Sequence, residues 1–141
     1  MIWFLRHGDA AEGADDFARP LTPKGKRQSV AAGEALAVLG VKIDVCLTSP
    51  RVRALETARL ACEALDVAPD VVQALSGGSF DPEELAAGRG TVLLVGHEPD
   101  FSHAVHHLTG ARVEMKKGGL AAVDGRVLVS LLRPAQIKKL A

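Results

Sequence analysis

A chain of 141 residues with 48% apolar side chains and 17 basic against 17 acidic residues has the size of one ordinary domain and enough apolar surface to bury a core. That balance excludes a disordered chain and one that coats nucleic acid. The charge-free apolar start is only five residues long, too short for a signal peptide or a bilayer span, so a single cytoplasmic domain over residues 1–141 is expected, with no membrane or nucleic-acid partner.

No linker, repeat or low-complexity tract divides the chain. Residues 1–5 form an apolar run that predicts a buried strand. Residues 13–23 read as loop, and residues 24–39 repeat apolar side chains at helical spacing until Gly40. A second strand is predicted over 41–47, a second helix over 51–65 and a short third strand over 71–75. Residues 77–90 read mostly as loop, with a turn or two of helix after Pro82. The clearest buried strand is 91–95, bounded by Gly90 and Gly96, and a helix over about 100–108 follows it. Residues 120–123 and 126–132 flank Asp124-Gly125, a two-residue hairpin signal, and a short helix over 134–140 closes the chain. Strands alternating with helices predict a three-layer α/β/α sandwich: a mostly parallel sheet covered on both faces, with an antiparallel hairpin at one edge. Ligands of such sheets bind beyond the carboxyl ends of the strands.

Three predicted strands end in unusual polar groups. The first ends in Arg6-His7-Gly8-Asp9-Ala10, the second in Thr48-Ser49-Pro50 followed by Arg51 and Arg53, and the fourth in Gly96-His97-Glu98-Pro99. Taken singly, His7 reads as a satisfied core histidine, Arg53 as a surface partner of Glu56, and His97 as a cap on the next helix. Taken together, at one edge of one sheet, they suit phosphoryl transfer. A neutral imidazole attacks phosphorus well, and the phosphohistidine formed is reactive enough to hydrolyse. Arginine forks match phosphate oxygens, a second histidine donates to an oxygen as charge develops, and Gly8 lets backbone approach closely.

Leu5-Arg6-His7-Gly8 resembles the Arg-His-Gly signature of the histidine phosphatase superfamily. The run from Ser49 to Ala58 is similar to that family's Ser-Pro-x-x-Arg-Ala-x-x-Thr-Ala stretch, and Val95-Gly96-His97 to the segment with its second histidine. The resemblance implies a phosphoglycerate mutase-like fold, His7 as the phosphorylated nucleophile, Arg6 and Arg53 as the phosphate clamp, and His97 completing the pocket. Arg51 falls at a variable position of the motif. Arg6-His7-Gly8-Asp9-Ala10, Arg19-Pro20-Leu21-Thr22 and Lys117-Gly118-Gly119-Leu120-Ala121, with the short length, resemble the SixA-type phosphohistidine phosphatases. That implies a monomer without cofactor or metal, acting on a phosphohistidine-bearing protein such as a histidine phosphotransfer domain, with Gly8, Arg19 and Glu98 as substrate-binding candidates.

Many superfamily members protonate the leaving group with a carboxylic acid. Here Glu98, Asp81 and Glu83 are the candidates, and Glu98 reads equally well as a helix N-terminal charge. A histidine leaving group needs less help than an alkoxide, which fits a missing acid. A general phosphomonoesterase of the same superfamily and a non-catalytic phosphohistidine-binding module are the alternatives.

Other chemistries fit less well. A cysteine phosphatase needs Cys-x5-Arg, but Val52 follows Cys46 and Ala68 follows Cys62 at that spacing. His97, His103, His106 and His107 could suggest a metal, yet Pro99 interrupts them, and partly exposed helix residues account for the last three. From Ala111 onward seven basic residues face Glu114 and Asp124 alone. A solvated basic face explains that run; a rim attracting a phosphorylated, acidic partner is the sharper reading.

Overall fold

Four consecutive apolar residues at the start of the chain can be buried together only in a strand covered on both faces. In the computed structural model, which describes residues 1–141, they lie in β1 (Ile2–Arg6) at the centre of a six-stranded sheet. The other strands are β2 (Val45–Thr48), β3 (Pro69–Val71), β4 (Val92–Gly96), β5 (Leu120–Asp124) and β6 (Val127–Leu132), in the order β3-β2-β4-β1-β5-β6. The first four are parallel, while β5 and β6 form an antiparallel hairpin beside β1. The helices are α1 (Pro23–Val38), α2 (Val52–Cys62), α3 (Pro82–Ala86), α4 (Asp100–Thr109) and α5 (Pro134–Leu140). The three-layer α/β/α architecture with an edge hairpin is the one the sequence predicts.

Strand alternation divides the core. Trp3, Leu5, Leu93 and Val95 face one layer, packed on Leu36 of α1, Ala54 and Ala58 of α2 and Ile137 of α5. Ile2, Phe4, Leu47 and Leu94 face the other, packed on Phe101, Val105 and Leu108 of α4. α1 starts where Thr22 Oγ1 accepts the Gly25 amide at 3.0 Å and Pro23 supplies the first helical residue. It crosses α2 closely at Gly33, where any side chain would collide with the Ala61 carbonyl.

The sequence reading differs from the structure at the second and third strands, at the hairpin loop and at the end of α2, which stops at Cys62 rather than at residue 65. The second strand starts at Val45 rather than at residue 41, because residues 41–44 turn the chain back from α1: the Val41 amide donates to Leu36 O, and Asp44 Oδ2 accepts the Thr91 amide. The third is an edge strand of three residues from Pro69, followed by a 3-10 turn at Gln73–Leu75. An apolar stretch that short carries no periodicity to separate strand from turn. The hairpin loop is Gly125-Arg126, with Asp124 still paired to Val127. Gly125 takes the left-handed conformation (φ 60°) at the first loop position, where aspartate would be strained. The ladder then skips Val129 as a bulge.

Candidate active site

The parallel order β2-β4-β1 sets three strand ends side by side, and the ladder runs one residue past each outer strand. The His7 amide donates to Gly96 O and the Ser49 amide to Val95 O, both at 3.0 Å. His7, Ser49 and His97 are therefore delivered to one edge by backbone pairing alone, and all three are buried.

The His7 ring is fixed from both sides. Nδ1 lies 2.7 Å from Gly8 O, a carbonyl that can only accept, so Nδ1 carries the proton. Arg53 Nε donates to the remaining lone pair on Nε2 at 3.4 Å. Burial pushes the His7 pKa down to about 4; the Gly8 contact opposes that, while Arg53, Arg6 and Lys117 add to it. His7 is a neutral imidazole at neutral pH, with Nε2 as its basic nitrogen.

His97 stands beside it, ring centroids 5.2 Å apart. Burial first, then His7, Arg53 and Arg51, push its pKa down to about 3. Its Nε2 is 2.8 Å from Ser49 Oγ, which also accepts the Arg51 amide at 3.2 Å. The Ser49 hydroxyl can donate to Nε2, and in that tautomer the His97 proton is on Nδ1, a buried atom with no protein partner. Arg6 Nε is also buried and unpartnered, while its Nη1 donates to Met115 O at 2.9 Å. Buried donors are normally paired. An oxyanion seated on His7 Nε2 is a group that could accept from both.

Arg53 is 8% exposed, and its backbone carbonyl accepts from Thr57 Oγ1 at 2.7 Å. Thr57 Oγ1 in turn accepts the Gly8 amide at 3.1 Å, so the same hydroxyl ties α2 to the loop after β1. The outer half of the guanidinium meets Asp16, whose backbone O accepts from Nη1 at 2.8 Å and whose Oδ2 accepts from Nη2 at 3.2 Å. Asp16 opens a 3-10 turn (Asp16–Ala18) inside the predicted loop and also binds Arg19 and Arg51. Arg19 first, then Arg53 and Arg51, hold its carboxyl below the usual range.

His7, Arg6, Arg53 and His97 thus come together. The other candidates are engaged elsewhere. The Gly8 amide is taken by Thr57, and a side chain there would strike the Gly25 carbonyl, so close packing on α1 requires the glycine. Arg19 spans Ala11 O and Asp16. Glu98 accepts the Ser102 amide at 2.7 Å and the Met115 amide at 3.3 Å, tying the first turn of α4 to the residue whose carbonyl holds Arg6. Asp81 caps α3, and Glu83 lines a trough with Met1 and Gly125 at the opposite end of β1. His103, His106 and His107 are exposed on α4, and no three His, Cys, Asp or Glu side chains group closely enough to share a metal ion.

The sequence reading did not single out Asp16, Ser49 or Thr57. Ser49 and Thr57 stand inside the Ser-Pro stretch and were legible as motif positions, whereas Asp16 lies in a loop without periodicity.

The family model of the histidine phosphatase superfamily (branch 1) matches residues 2–86, the stretch that holds Arg6, His7 and Arg53. The chain belongs to that superfamily. An uncharacterized protein of Picosynechococcus sp. is 37% identical over 135 residues, 84% of this chain and 81% of its own. The mitochondrial serine/threonine-protein phosphatase PGAM5 of Xenopus tropicalis is 32% identical over 120 residues, 80% of this chain but 38% of its own length. The protein histidine phosphatase SixA complexed with tungstate superposes with a TM-score of 0.84 at 25% identity, covering 97% of this chain and 99% of that one. This histidine phosphatase has no helix long and apolar enough to cross a membrane.

Proposed function

We propose that this histidine phosphatase hydrolyses phosphohistidine on proteins, through a phosphoryl group carried on Nε2 of His7. The observation that carries the choice of substrate is that the carboxylates beside the site are engaged: Asp16 by three arginines, Glu98 by two backbone amides and Asp9 by Thr22 and Lys117. An alkoxide leaving group needs a proton from such an acid, a contribution of about 10²- to 10⁴-fold in rate. An imidazole does not, because a phosphohistidine ring already protonated on its other nitrogen departs as neutral imidazole.

In the first step Nε2 forms a bond to phosphorus as the bond to the substrate's ring nitrogen breaks. Arg6 and Arg53 hold the phosphoryl oxygens, and His97 Nδ1–H donates to one of them as charge shifts. The phospho-His7 ring keeps its proton on Nδ1 against Gly8 O, so it is poised as the same kind of leaving group. Water then displaces it, a water proton passes to the phosphate product, and neutral His7 returns. The guanidinium groups supply the positive charge, so neither metal nor cofactor enters. The relative solved with tungstate, an oxyanion of phosphate's shape, is a protein histidine phosphatase and supports the same chemistry.

Rapid quenching during turnover of a phosphohistidine protein tests this. The chain should carry an acid-labile, base-stable phosphate that is absent from His7→Ala, and turnover should survive thorough chelation. An acid-stable adduct would sink the His7 route. Turnover of a sugar phosphate as efficient as that of the phosphohistidine protein would overturn the substrate assignment.

A further inference from the structure

The chain carries equal numbers of acidic and basic residues, yet one groove gathers cations almost alone. It opens beside Arg6 with a volume of about 520 Å³ and is lined by Lys24 of α1, Lys116 and Lys117 of the turn before β5, and Arg133 before α5. Asp9 is the one carboxylate in its lining, and Thr22 and Lys117 already occupy it. The groove continues into a trough of about 380 Å³ between α1 and α5, sharing Lys24, Gln28, Pro134 and Ala135 and adding Arg27 and Lys138. Lys24, Arg27, Arg133 and Lys138 are exposed and make no salt bridge.

Two features link the groove to the chemistry. Arg6 lines it and immediately precedes His7, and the Gly118 amide, next to Lys117, donates to the carbonyls of both Arg6 and His7. The positive end of the α1 dipole lies at the same place, since that helix begins at Pro23. No aromatic side chain lines either part, so the surface lacks the stacking platforms on which single-stranded nucleic acids are held. The trough instead has small aliphatic surface, Ala31 and Ala135, between its cations.

We propose that this groove docks a carboxylate-rich segment of the phosphohistidine-bearing protein, so that charge next to the reacting phosphoryl group selects the substrate. This rests on the phosphohistidine reading of the site. Several exposed ion pairs, each weak by itself, together give about 10-fold in affinity and more in encounter rate, and salt weakens both.

The test uses one histidine peptide in two versions, flanked by glutamates or by glutamines, each prepared unphosphorylated and phosphorylated on the histidine with phosphoramidate. Binding of the labelled unphosphorylated peptides, followed by anisotropy, reads the groove without any chemistry. The acidic version should bind about 10-fold tighter at low salt and lose that advantage at high salt. Lys24→Glu with Arg27→Glu should abolish the difference, and the milder pair Lys24→Gln with Arg27→Gln should reduce it. The same preference should then appear in kcat/KM for the phosphorylated peptides, while turnover of free phosphohistidine stays within about 2-fold of the unmutated chain, as exposed charges that bond to none of His7, Arg6, Arg53 and His97 allow. Equal binding of the two peptides, or tighter binding of a single-stranded oligonucleotide or of phosphatidylserine vesicles, overturns the proposal. Failure to turn over free phosphohistidine would instead overturn the reading of the site, and peptide binding would still decide the groove.

Discussion

The carbonyl oxygen of Gly8 lies 2.7 Å from Nδ1 of His7, and that contact leaves Nε2 as the ring's basic nitrogen, the atom on which the proposed mechanism rests. A glycine carbonyl cannot donate, so the ring keeps its proton on Nδ1 and turns its lone pair toward Arg53. Nitrogen NMR of labelled protein at pH 7 should show a neutral His7 protonated at Nδ1. The opposite tautomer would reassign the nucleophilic atom.

Acid should act first on stability. Both active-site histidines ionise near 6.5 in the unfolded chain, but only near 4 (His7) and 3 (His97) in the fold. Above pH 6.5 neither state is protonated. As pH falls below 6.5 the unfolded chain takes up protons that the fold does not, and stability is lost progressively until pH passes the folded values. The denaturation midpoint should drop between pH 6.5 and 4, and His7→Gln should flatten that fall. A pH dependence unchanged in His7→Gln would mean that the ring is not held neutral by burial.

Arg53 and Arg51 should not be equivalent. Arg53 reaches Nε2 of His7, whereas Arg51 donates to Ser76 O and Asp16. Lysine keeps the charge but loses the fork. Arg53→Lys is expected to cost about 10²- to 10³-fold in kcat/KM, and Arg51→Lys far less. Steady-state rates with a phosphohistidine substrate decide it, and equal losses would move the clamp to the other arginine.

Ser49 should act as a positioning residue. Its hydroxyl is the one protein partner of His97 Nε2. Ser49→Ala should lower kcat by about 10-fold with KM nearly unchanged, because a hydrogen bond that orients a catalytic ring serves the transition state more than binding. Ser49→Thr, which keeps the hydroxyl, should restore part of the rate. A rise in KM alone would show that His97 only helps to bind substrate.

Asp16 competes for the arginines a phosphoryl group would use. Its carboxylate meets Arg19, Arg51 and Arg53 at 3.1, 2.8 and 3.2 Å. Replacing that anion by an amide removes a like charge from the approach of phosphate. Asp16→Asn should therefore make inorganic phosphate a severalfold stronger inhibitor. Weaker inhibition would mean that Asp16 holds the arginines in place rather than competing for them.

Glu98 separates structure from chemistry. Both its oxygens accept backbone amides, so Glu98→Gln removes one charged acceptor from a cap worth about 1 kcal/mol. For a domain of this size that lowers Tm by roughly 2–4 °C. Turnover of phosphohistidine should change less than about 2-fold, since its leaving imidazole needs no proton from the enzyme. A loss of activity on sugar phosphates much larger than the loss of Tm would make Glu98 a general acid.

The sequence by itself determined the strands at the centre of the sheet, the helices that cover them, and the positions of His7, Arg53 and His97. Buried strands advertise themselves by unbroken apolar runs, and polar residues directly after such runs can lie only at the sheet's edge. What it left open depends on contacts between distant parts of the chain. Arg6 rests on Met115, 109 residues away, and Lys117 on Asp9, 108 residues away. Whether Asp16 and Glu98 were free carboxylates hinged on such partners, Arg53 for the one and Met115 for the other. So did the meeting of Lys24, Lys117 and Arg133 in one groove. The proton on His7 Nδ1 turned on the direction in which the fold points the neighbouring Gly8 carbonyl. Periodicity reports which face a side chain takes, but a hydrogen bond's direction and a titrating group's burial are properties of the neighbours it meets, and only the tertiary structure supplies those.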